Sequence, residues 1–518
     1  MSNLPYLLLL AVSTTACSDA GVLQLDSGGS GGQTSTTGDA GSSGPTTRDL
    51  GGEPEVPQGP CAGPSNAMNP FHVRTDGNDE TGDGSSSAPW ATLRHAVANV
   101  PDGALIEVGP GNYEGEQALE GVFNDGVVIR AAPPYQARLR NSGPVLTLGR
   151  AKGITLEGFD IAHSGPGSDA FVVLIRDELG ELGGADYPTR LVLRDNIIHD
   201  SFNDDLLRID SGVAGVRIEG NIFYNQGPAD EHIDINAARD VEIRWNILFN
   251  DFAASGRANA SNSASFIIVK DADGQDDGIE GASDVEIDGN VFLSWQGDSS
   301  MNFVLLAERG HPIYGARRVT VQNNLMLGQE SAPIRAPFGV KGASEVVFRS
   351  NTVVGDLMAN AFAFRLNVEG DSPPNDGIRF FNNIWSAPGG SMQDLTDTEP
   401  ASPLQDFELD TNLYWNGGEP IPVDSTDLVN VDSDPGAILG DPQLSAAVPM
   451  TPVWSSALGQ FGGGEARICA AFEALVFEYG LPEPDGAGIG AARADVLPPH
   501  DILGHPRTGA DIGAVERQ

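Results

Sequence analysis

A six-residue pattern recurs eight times along the middle of the chain. It has apolar residues at its first and third positions and asparagine at its sixth, as in LVLRDN ending at Asn196 and VEIDGN ending at Asn290. Successive copies lie 25 to 44 residues apart, which indicates one repeating unit with loops of varying length. The eight asparagines are Asn196, Asn221, Asn246, Asn290, Asn324, Asn351, Asn383 and Asn412.

The alternation within each copy predicts a short β-strand. Apolar side chains at every second position share one face of a strand, and that face is expected to be buried. Asparagine at the end of a strand tolerates the left-handed backbone conformation and can hydrogen-bond its equivalent one coil away. We therefore predict one parallel sheet with the asparagines stacked at a corner. The inward side chains are expected to include Val216, Ile218, Val241, Ile243, Val285 and Ile287.

Short strands stacked at a repeating interval predict an all-β solenoid, a single parallel β-helix. A chain of 518 residues exceeds the size at which one globular core stops growing, whereas each repeat of a solenoid contacts only its neighbours. Segments at 105–108, 127–130 and 154–159 continue the pattern towards the N-terminus. With these included, we expect about eleven coils at the strand spacing of about 4.8 Å.

Both ends of this region resemble known β-helix proteins. The stretch from Asp76 to Val97, followed by GALIEVGPGNY, is similar to the opening of pectate-lyase-like proteins, whose fold is a right-handed parallel β-helix. The close from Asp501 to Glu516, DILGHPRTGADIGAVE, resembles that of surface β-helix proteins with varied anchors. The resemblance implies the fold and a role on polysaccharides, because this superfamily contains lyases, glycosidases and epimerases. It selects no single enzyme family.

The N-terminus predicts export. Residues 1–17 contain an apolar run too short to span a membrane, followed by small residues and Cys17, and they resemble a bacterial lipoprotein signal. An ordinary secretory peptide is the alternative. We therefore expect either a lipoprotein of the outer membrane or cell surface, with a membrane contact only through the lipid on Cys17, or a secreted protein.

The rest of the chain divides into two parts. Residues 18–63 are rich in Gly, Ser, Thr, Pro and Asp and predict a disordered tether. Residues 64–518 predict the β-helix domain, with an irregular capping region from about residue 413. The sequence leaves open whether Cys61 and Cys469 form a disulfide after export.

The chain is strongly acidic, with 29 Lys and Arg against 72 Asp and Glu and a formal net charge of −43. Such a negative field repels phosphate backbones, so we expect no nucleic-acid partner. The acidic residues either keep the protein soluble in a saline medium or bind Ca²⁺, which prefers oxygen ligands. We expect a monomer.

A second short strand follows most of the asparagine strands, as in LLRID at 206–210 and IIVKD at 267–271. If Leu207 and Ile267 point inward, alternation directs two columns of side chains outward. The first column is Arg208, Asp234, Ile268, Leu305, Gly339 and Arg365. The second column is Asp210, Asn236, Lys270, Ala307, Lys341 and Asn367.

These columns gather four basic residues of a chain that has few, which predicts a groove for an acidic polysaccharide. Arg208 and Arg365 are expected to bind substrate carboxylates. His232 precedes the columns on the same face, and Trp295 lies nearby, where it can stack on a sugar ring or fill a loop. Ordinary surface charge with pairing between strands is the alternative.

The chemistry that fits such a groove is β-elimination on a uronate polymer, similar in kind to that of the alginate and chondroitin lyases of the superfamily. The reaction needs a cation beside the sugar carboxylate and a base that removes the C5 proton. Lys270 is the first candidate for the base and Lys341 the second, because neighbouring cations are expected to lower a lysine pKa. Ca²⁺ could share the neutralising role, with Asp210, Asp234 and Asn236 as its ligands. The alternative is a solvated acidic surface and no cofactor.

Two other functions remain open. A non-catalytic glycan-binding or adhesion protein would need no catalytic motif. A glycoside hydrolase would need two carboxylates about 5–9.5 Å apart. Asn203, Asp204 and Asp205 resemble elements of the polygalacturonases, whose Gly-His-Gly and Arg-x-Lys elements are absent from the sequence.

The export prediction is tested by Cys17→Ser. Mature protein from a bacterial host should begin at Cys17 and partition with membranes, because an acyl chain adds about 0.8 kcal/mol of membrane affinity for each buried CH₂ group. The serine variant should lose this partitioning. A soluble mature parent that begins at another residue, established by N-terminal sequencing, would support the ordinary secretory peptide instead.

Overall fold

The computed structural model describes residues 59–61, 69–176, 189–257, 262–272, 281–328, 332–398 and 404–518. The predicted signal peptide, Cys17 and the tether up to residue 58 lie outside the described residues. The described part is a right-handed parallel β-helix, as the sequence predicted. No helix in it is long and apolar enough to cross a membrane.

The strands that precede the repeated asparagines form one parallel ladder, which we call the asparagine sheet. Its strands are Leu191–Arg194, Ala214–Glu219, Arg239–Arg244, Ala282–Asp288, Ala316–Gln322, Ala343–Arg349, Asp376–Phe381 and Glu408–Asp410. Val216 lies beside Val241, and Val241 beside Val285, so the repeats are in register. The six apolar side chains predicted to point inward are all buried.

The asparagines form the predicted ladder. The Asn246 amide donates to Asn290 Oδ1 over 2.9 Å, and the Asn290 amide donates to Asn324 Oδ1 over 3.0 Å. The same pattern runs from Asn196 to Asn412, where Asp434 accepts the last of these bonds at 2.9 Å. Every ladder amide also donates to a backbone carbonyl, so these buried polar groups are satisfied within the protein.

The left-handed turn position differs from the prediction by one residue. The residue with positive φ is the one before each ladder asparagine, for example Gly289 at 66° and Trp245 at 57°. This turn reverses the side-chain alternation, and the asparagine that follows keeps an ordinary φ and can direct its amide into the ladder. The residues before the ladder asparagines are Asp195, Gly220, Trp245, Gly289, Asn323, Ser350, Asn382 and Thr411.

A second parallel ladder, which we call the groove sheet, carries the predicted site. Its strands are Val173–Ile175, Leu207–Ile209, Ile233–Asn236, Ile267–Lys270, Asn302–Leu306, Ala336–Val340, Phe364–Leu366 and Thr396–Thr398. The long strands Gln117–Ala131 and Leu146–Glu157 join this ladder to the asparagine sheet. Phe71–Val73 and Leu105–Val108 complete the 20-stranded assembly.

A third sheet of 12 strands closes each coil. Its strands are Gly111–Glu114, Ala137–Asn141, Asp160–His163, Ile197–His199, Ile222–Tyr224, Ile247–Phe249, Val291–Phe292, Leu325–Leu327, Thr352–Val354, Ile384–Ser386, Leu413–Trp415 and Ile438–Leu439. Pro333–Ile334 and Met358–Ala359 form a separate pair. The remaining elements are the α-helices Leu93–Asn99 and Ile468–Leu475, the π-helix Val476–Gly480 and the 3₁₀ turns Val431–Ser433 and Ala494–Val496.

The region after residue 413 differs from the expected cap. After the last third-sheet strand, residues 440–518, here called the C-terminal strap, pack along the outer face of the third sheet. Phe472 and Val515 of the strap share one buried apolar cluster with Ile222 and Ile247 of that sheet. The third-sheet strands from Ile222–Tyr224 to Leu325–Leu327 are apolar and buried on both faces, so their outer face also has to be covered.

The course of the strap also determines which cysteines can pair. Arg467 lies 2.5 Å from Asp195, and the backbone N–H of Ile468 donates to the Tyr135 hydroxyl, so the chain returns to the N-terminal coils. This return brings the two cysteines together, and they form a disulfide between Cys61 and Cys469.

Asn290→Ala tests the ladder. The change removes the acceptor of the buried Asn246 backbone and side-chain N–H groups and the donor to the Ile243 carbonyl, so it should lower the free energy of unfolding by about 2–4 kcal/mol. The matched control is the exposed Asn112, whose replacement by alanine should cost less than about 0.5 kcal/mol. Chemical denaturation measures both. Equal effects for the two variants would contradict the structural role of the ladder.

Candidate functional site

The groove sheet has the predicted register. Arg208 lies beside Asp234, Asp234 beside Ile268, and the same column continues through Leu305 and Gly339 to Arg365. In the second column, Asn236 lies directly beside Lys270. The face that these side chains share is not a bare surface, because Lys270 is 5% exposed and Ile268 is fully buried.

Three carboxylates meet at the edge of this sheet, and we call them the carboxylate cluster: Asp205, Glu231 and Asp234. One oxygen from each lies within 4.8 Å of the other two, and all three residues are buried. Asp205 and Glu231 come just before neighbouring strands. Asp204 and Asp230 form an overlapping group with Asp205 on the more exposed side.

Burial and mutual repulsion disfavour the ionised forms of the carboxyl groups in and beside the cluster. Burial, together with the charge of Asp234, raises the pKa of Glu231 to about 8. Burial and the charges of Asp234 and Glu231 also hold the pKa of Asp205 well above its usual range. The pKa of Asp230 is raised to about 7, chiefly by burial.

The carboxylate cluster fits a divalent cation. Oxygen ligands on three buried carboxylates are what Ca²⁺ prefers. The Oδ1 atom of Asp234 is buried and has no hydrogen-bond partner among the described residues. A bound cation would use this oxygen and would remove the repulsion that raises the pKa of Glu231.

Lys270 lies against the cluster. Its Nζ atom is 3.3 Å from Asp234 Oδ2, and its side chain is 6% exposed. Burial disfavours the charged form, but the charges of Asp234 and Glu231 outweigh burial and raise the pKa of Lys270. The expectation that neighbouring cations lower this pKa was therefore wrong for the protein without a bound cation, because the nearest charges are carboxylates.

Arg208 borders the cluster on the other side of Asp234. Its guanidinium lies 2.7 Å from Asp210 Oδ1 and 3.6 Å from Asp234 Oδ2, and it packs over the ring of Phe171. Of the predicted Ca²⁺ ligands, Asp234 belongs to the carboxylate cluster and Asp210 is paired with Arg208. The Ca²⁺ role of Asp210, Asp234 and Asn236 stays a prediction.

Two predicted substrate contacts are part of the interior. His232 is fully buried, its ring stacks on Phe266 at 4.3 Å, and its Nε2 atom bonds Asn250. The strand begins at Ile233, so the alternation that would place His232 outward does not extend to it. Trp295 is 2% exposed and donates to the Pro333 carbonyl, so it fills the core rather than presenting a face to sugar.

The remaining predicted cations lie farther along the sheet. Lys341 is two strands from Lys270, and its Nζ atom lies 3.4 Å from Glu369. Arg365, three strands from Lys270, lies 3.1 Å from Asp397. Both face outward as predicted, but each has a carboxylate partner, so the strip has mixed charge rather than a continuous positive potential.

Sequence reasoning missed Glu231 and gave Asp205 only a resemblance to a polygalacturonase element. The signal was an acidic pair repeated at the spacing of one coil. Asp204 and Asp205 precede the strand at Leu207, and Asp230 and Glu231 precede the strand at Ile233, its register partner. Stacked positions in adjacent coils are close in space, so two acidic pairs at this spacing predict a carboxylate cluster.

No protein-family model and no curated protein matches the chain. Solved structures do match. The complex of XylC with xylose is 12% identical, with a TM-score of 0.48 over 86% of this chain and 98% of that chain. Pectate lyase Pel9A is 13% identical, with a TM-score of 0.45 over 86% and 96%. The A-module of the Azotobacter vinelandii mannuronan C-5 epimerase AlgE4 is 15% identical, with a TM-score of 0.41 over 64% and 91%.

Glu231→Gln should change stability in opposite directions without and with Ca²⁺. The folded pKa of about 8 exceeds the ordinary value of 4.5, so the stability that protonated Glu231 contributes is lost as the pH rises through 8. At about pH 8.5 without Ca²⁺, the glutamine variant should therefore melt at a higher temperature than the parent. With Ca²⁺, the parent should gain more stability than the variant.

Asp210→Asn is the matched control for this experiment, because Asp210 lies beside the cluster but is paired with Arg208. It should keep the stabilisation by Ca²⁺ that the parent shows in thermal unfolding. If Asp210→Asn loses the stabilisation by Ca²⁺ and Glu231→Gln keeps it, Asp210 is a ligand and Glu231 is not, as the sequence predicted.

Proposed function

We propose that the protein is a Ca²⁺-dependent polysaccharide lyase that cleaves a uronate polymer by β-elimination. The observation that carries the proposal is the carboxylate cluster with Lys270 placed 3.3 Å from Asp234 on the outer face of a β-helix sheet. This arrangement combines ligands for a hard cation with a buried amine, which are the two groups that the reaction requires.

Elimination from a uronate begins at the carbon that bears the carboxylate. The base removes the C5 proton, the electron pair forms the C4–C5 double bond, and the bond from C4 to the bridging oxygen breaks. The leaving sugar takes up a proton and becomes a free hydroxyl. The barrier is high because the sugar carboxylate opposes a second negative charge, and neutralising it lowers that barrier.

Asp205, Glu231 and Asp234 would hold the cation. When bound, Ca²⁺ supplies positive charge that neutralises the substrate carboxylate and offsets the charge of Asp234 and Glu231 on Lys270. Burial would then be the main influence on the pKa of Lys270, and it would lower that pKa and favour the neutral amine. Lys270 is therefore the proposed base.

Arg208 is the proposed substrate-binding cation. Its side chain is 24% exposed, compared with 6% for Lys270, and Asp210 fixes one edge of the guanidinium. The remaining N–H groups can donate to a sugar carboxylate in the geometry that arginine prefers. Lys341 and Arg365 are proposed to contact more distant sugars of the same chain.

One observation favours a second candidate, a glycoside hydrolase. The oxygens of Asp205 and Glu231 lie within 4.8 Å, close to the separation of about 5–5.5 Å in enzymes that retain configuration. The raised pKa of Glu231 suits a general acid. The two reactions differ in product, because only elimination gives an unsaturated sugar.

We also propose that the protein acts outside the cytoplasm on an extracellular glycan. The disulfide between Cys61 and Cys469 supports an oxidising compartment, and the predicted export signal agrees with it. A surface anchor at Cys17 would hold the enzyme close to the glycan that it degrades.

A panel of uronate polysaccharides, followed by the absorbance of the unsaturated product, tests the proposal. The parent should release this product from one panel member, and chelation should stop the release until Ca²⁺ is restored. Lys270→Ala should lower the rate by about 10²–10⁴-fold, because a positioned base contributes that much. The control is Lys152→Ala, which should keep the parent rate.

Two results would contradict the lyase assignment, and a third would contradict only the choice of the base. Release of saturated reducing ends would support the hydrolase. Binding of an acidic glycan with no turnover of any panel member would support a glycan-binding or adhesion protein. Full activity of a correctly folded Lys270→Ala variant would move the base to another residue, Lys341 being the next to test.

A further inference from the structure

Asn236 occupies a special position beside the proposed base. It is the register partner of Lys270 on the adjacent strand, so both side chains leave the same face of the groove sheet. Neighbouring side chains on adjacent strands are about 4.5–5.5 Å apart at Cβ. Asn236 therefore lies directly beside the proposed base.

The Asn236 amide lacks hydrogen bonds. The residue is 2% exposed, and neither its Nδ2 nor its Oδ1 atom has a partner among the described residues. Burying an amide without partners costs free energy, so such a group in a native structure calls for an explanation. The eight ladder asparagines are equally buried, and their amides do have partners.

The unpaired atoms indicate the kind of ligand. A cation would use only the oxygen of the amide and would leave the NH₂ group without an acceptor. A uronate ring offers both carboxylate acceptors and hydroxyl donors, so it can satisfy both ends of the amide.

We propose that Asn236 is a substrate-contacting residue, on the understanding that the site acts on a uronate glycan. Its NH₂ group donates to the carboxylate of the sugar held at Lys270, and its Oδ1 atom accepts from a hydroxyl of the same sugar. This assignment replaces the Ca²⁺-ligand role that the sequence predicted for Asn236.

Asn236→Leu separates a recognition role from a structural one. Leucine has the branched shape of asparagine and no polar atoms, so it removes an unsatisfied amide and should raise Tm by about 1–3 °C. The matched control is Asn302→Leu on the same sheet. Asn302 is equally buried, but its amide donates to the Ala336 carbonyl over 2.8 Å, so this change should lower Tm.

Ligand binding is measured in the Lys270→Ala background, where turnover does not consume the probe. The probes are a galacturonate trimer and a mannuronate trimer, tested in parallel with Ca²⁺ present. Asn236→Leu should weaken binding of the preferred trimer about tenfold, the effect of losing one hydrogen bond to a charged group. The affinity for Ca²⁺ alone, measured by calorimetry, should stay the same.

Several other outcomes would overturn the inference. A lower Tm for Asn236→Leu would mean that the amide is satisfied in solution and has a structural role. A loss of Ca²⁺ affinity would make Asn236 a metal ligand, and unchanged or undetectable trimer binding would remove its role in recognition. A parent that binds a trimer through Asn236 but turns over no polymer would contradict the lyase proposal and leave this inference standing.

Discussion

Each coil must place a buried asparagine where the next coil can accept its hydrogen bond, and this constraint sets the register of the solenoid. A slip of one residue would leave amides such as that of Asn290 buried without partners and would turn the apolar face of the strand outward. Because the asparagine sheet and the groove sheet belong to the same coils, the ladder also fixes which groove residues are neighbours. The pairing of Asn236 with Lys270 follows from a hydrogen-bond pattern on another face of the coil.

The carboxylate cluster and Lys270 are positioned by the same stacked coils. Asp205 and Glu231 precede adjacent strands and Asp234 lies within one of them, so the stacking of the coils brings the three carboxylates together. Burial in this position raises the pKa of Glu231. Lys270 balances part of this charge in the free protein. A bound cation would compensate the charge of the carboxylates in place of Lys270. The lysine would then be buried without a net negative charge beside it. Cation binding and the activation of a base would then be one electrostatic event.

The sequence predicted the parts of the structure that repeat and failed where repetition stops. Alternation assigned Arg208 and Asp234 to the correct column, because both lie within regular strands. The alternation failed for His232, which lies one residue before a strand and is buried. It also gave no position for Glu231, which precedes the same strand. The strap was missed although seven of the eight ladder asparagines are followed by two consecutive apolar or aromatic residues, as in Ile222 and Phe223. Such runs predict a strand buried on both faces, and therefore a covering segment.

Mass spectrometry of the products from a uronate polymer tests the central claim most directly, because elimination and hydrolysis differ by one molecule of water. With Ca²⁺ present, the account predicts oligosaccharides that carry one unsaturated residue and are lighter by one water than hydrolysis products. Their formation should cease when the cation is chelated. Products with the full mass of hydrolysis, or unsaturated products that form equally well in chelator, would contradict the account.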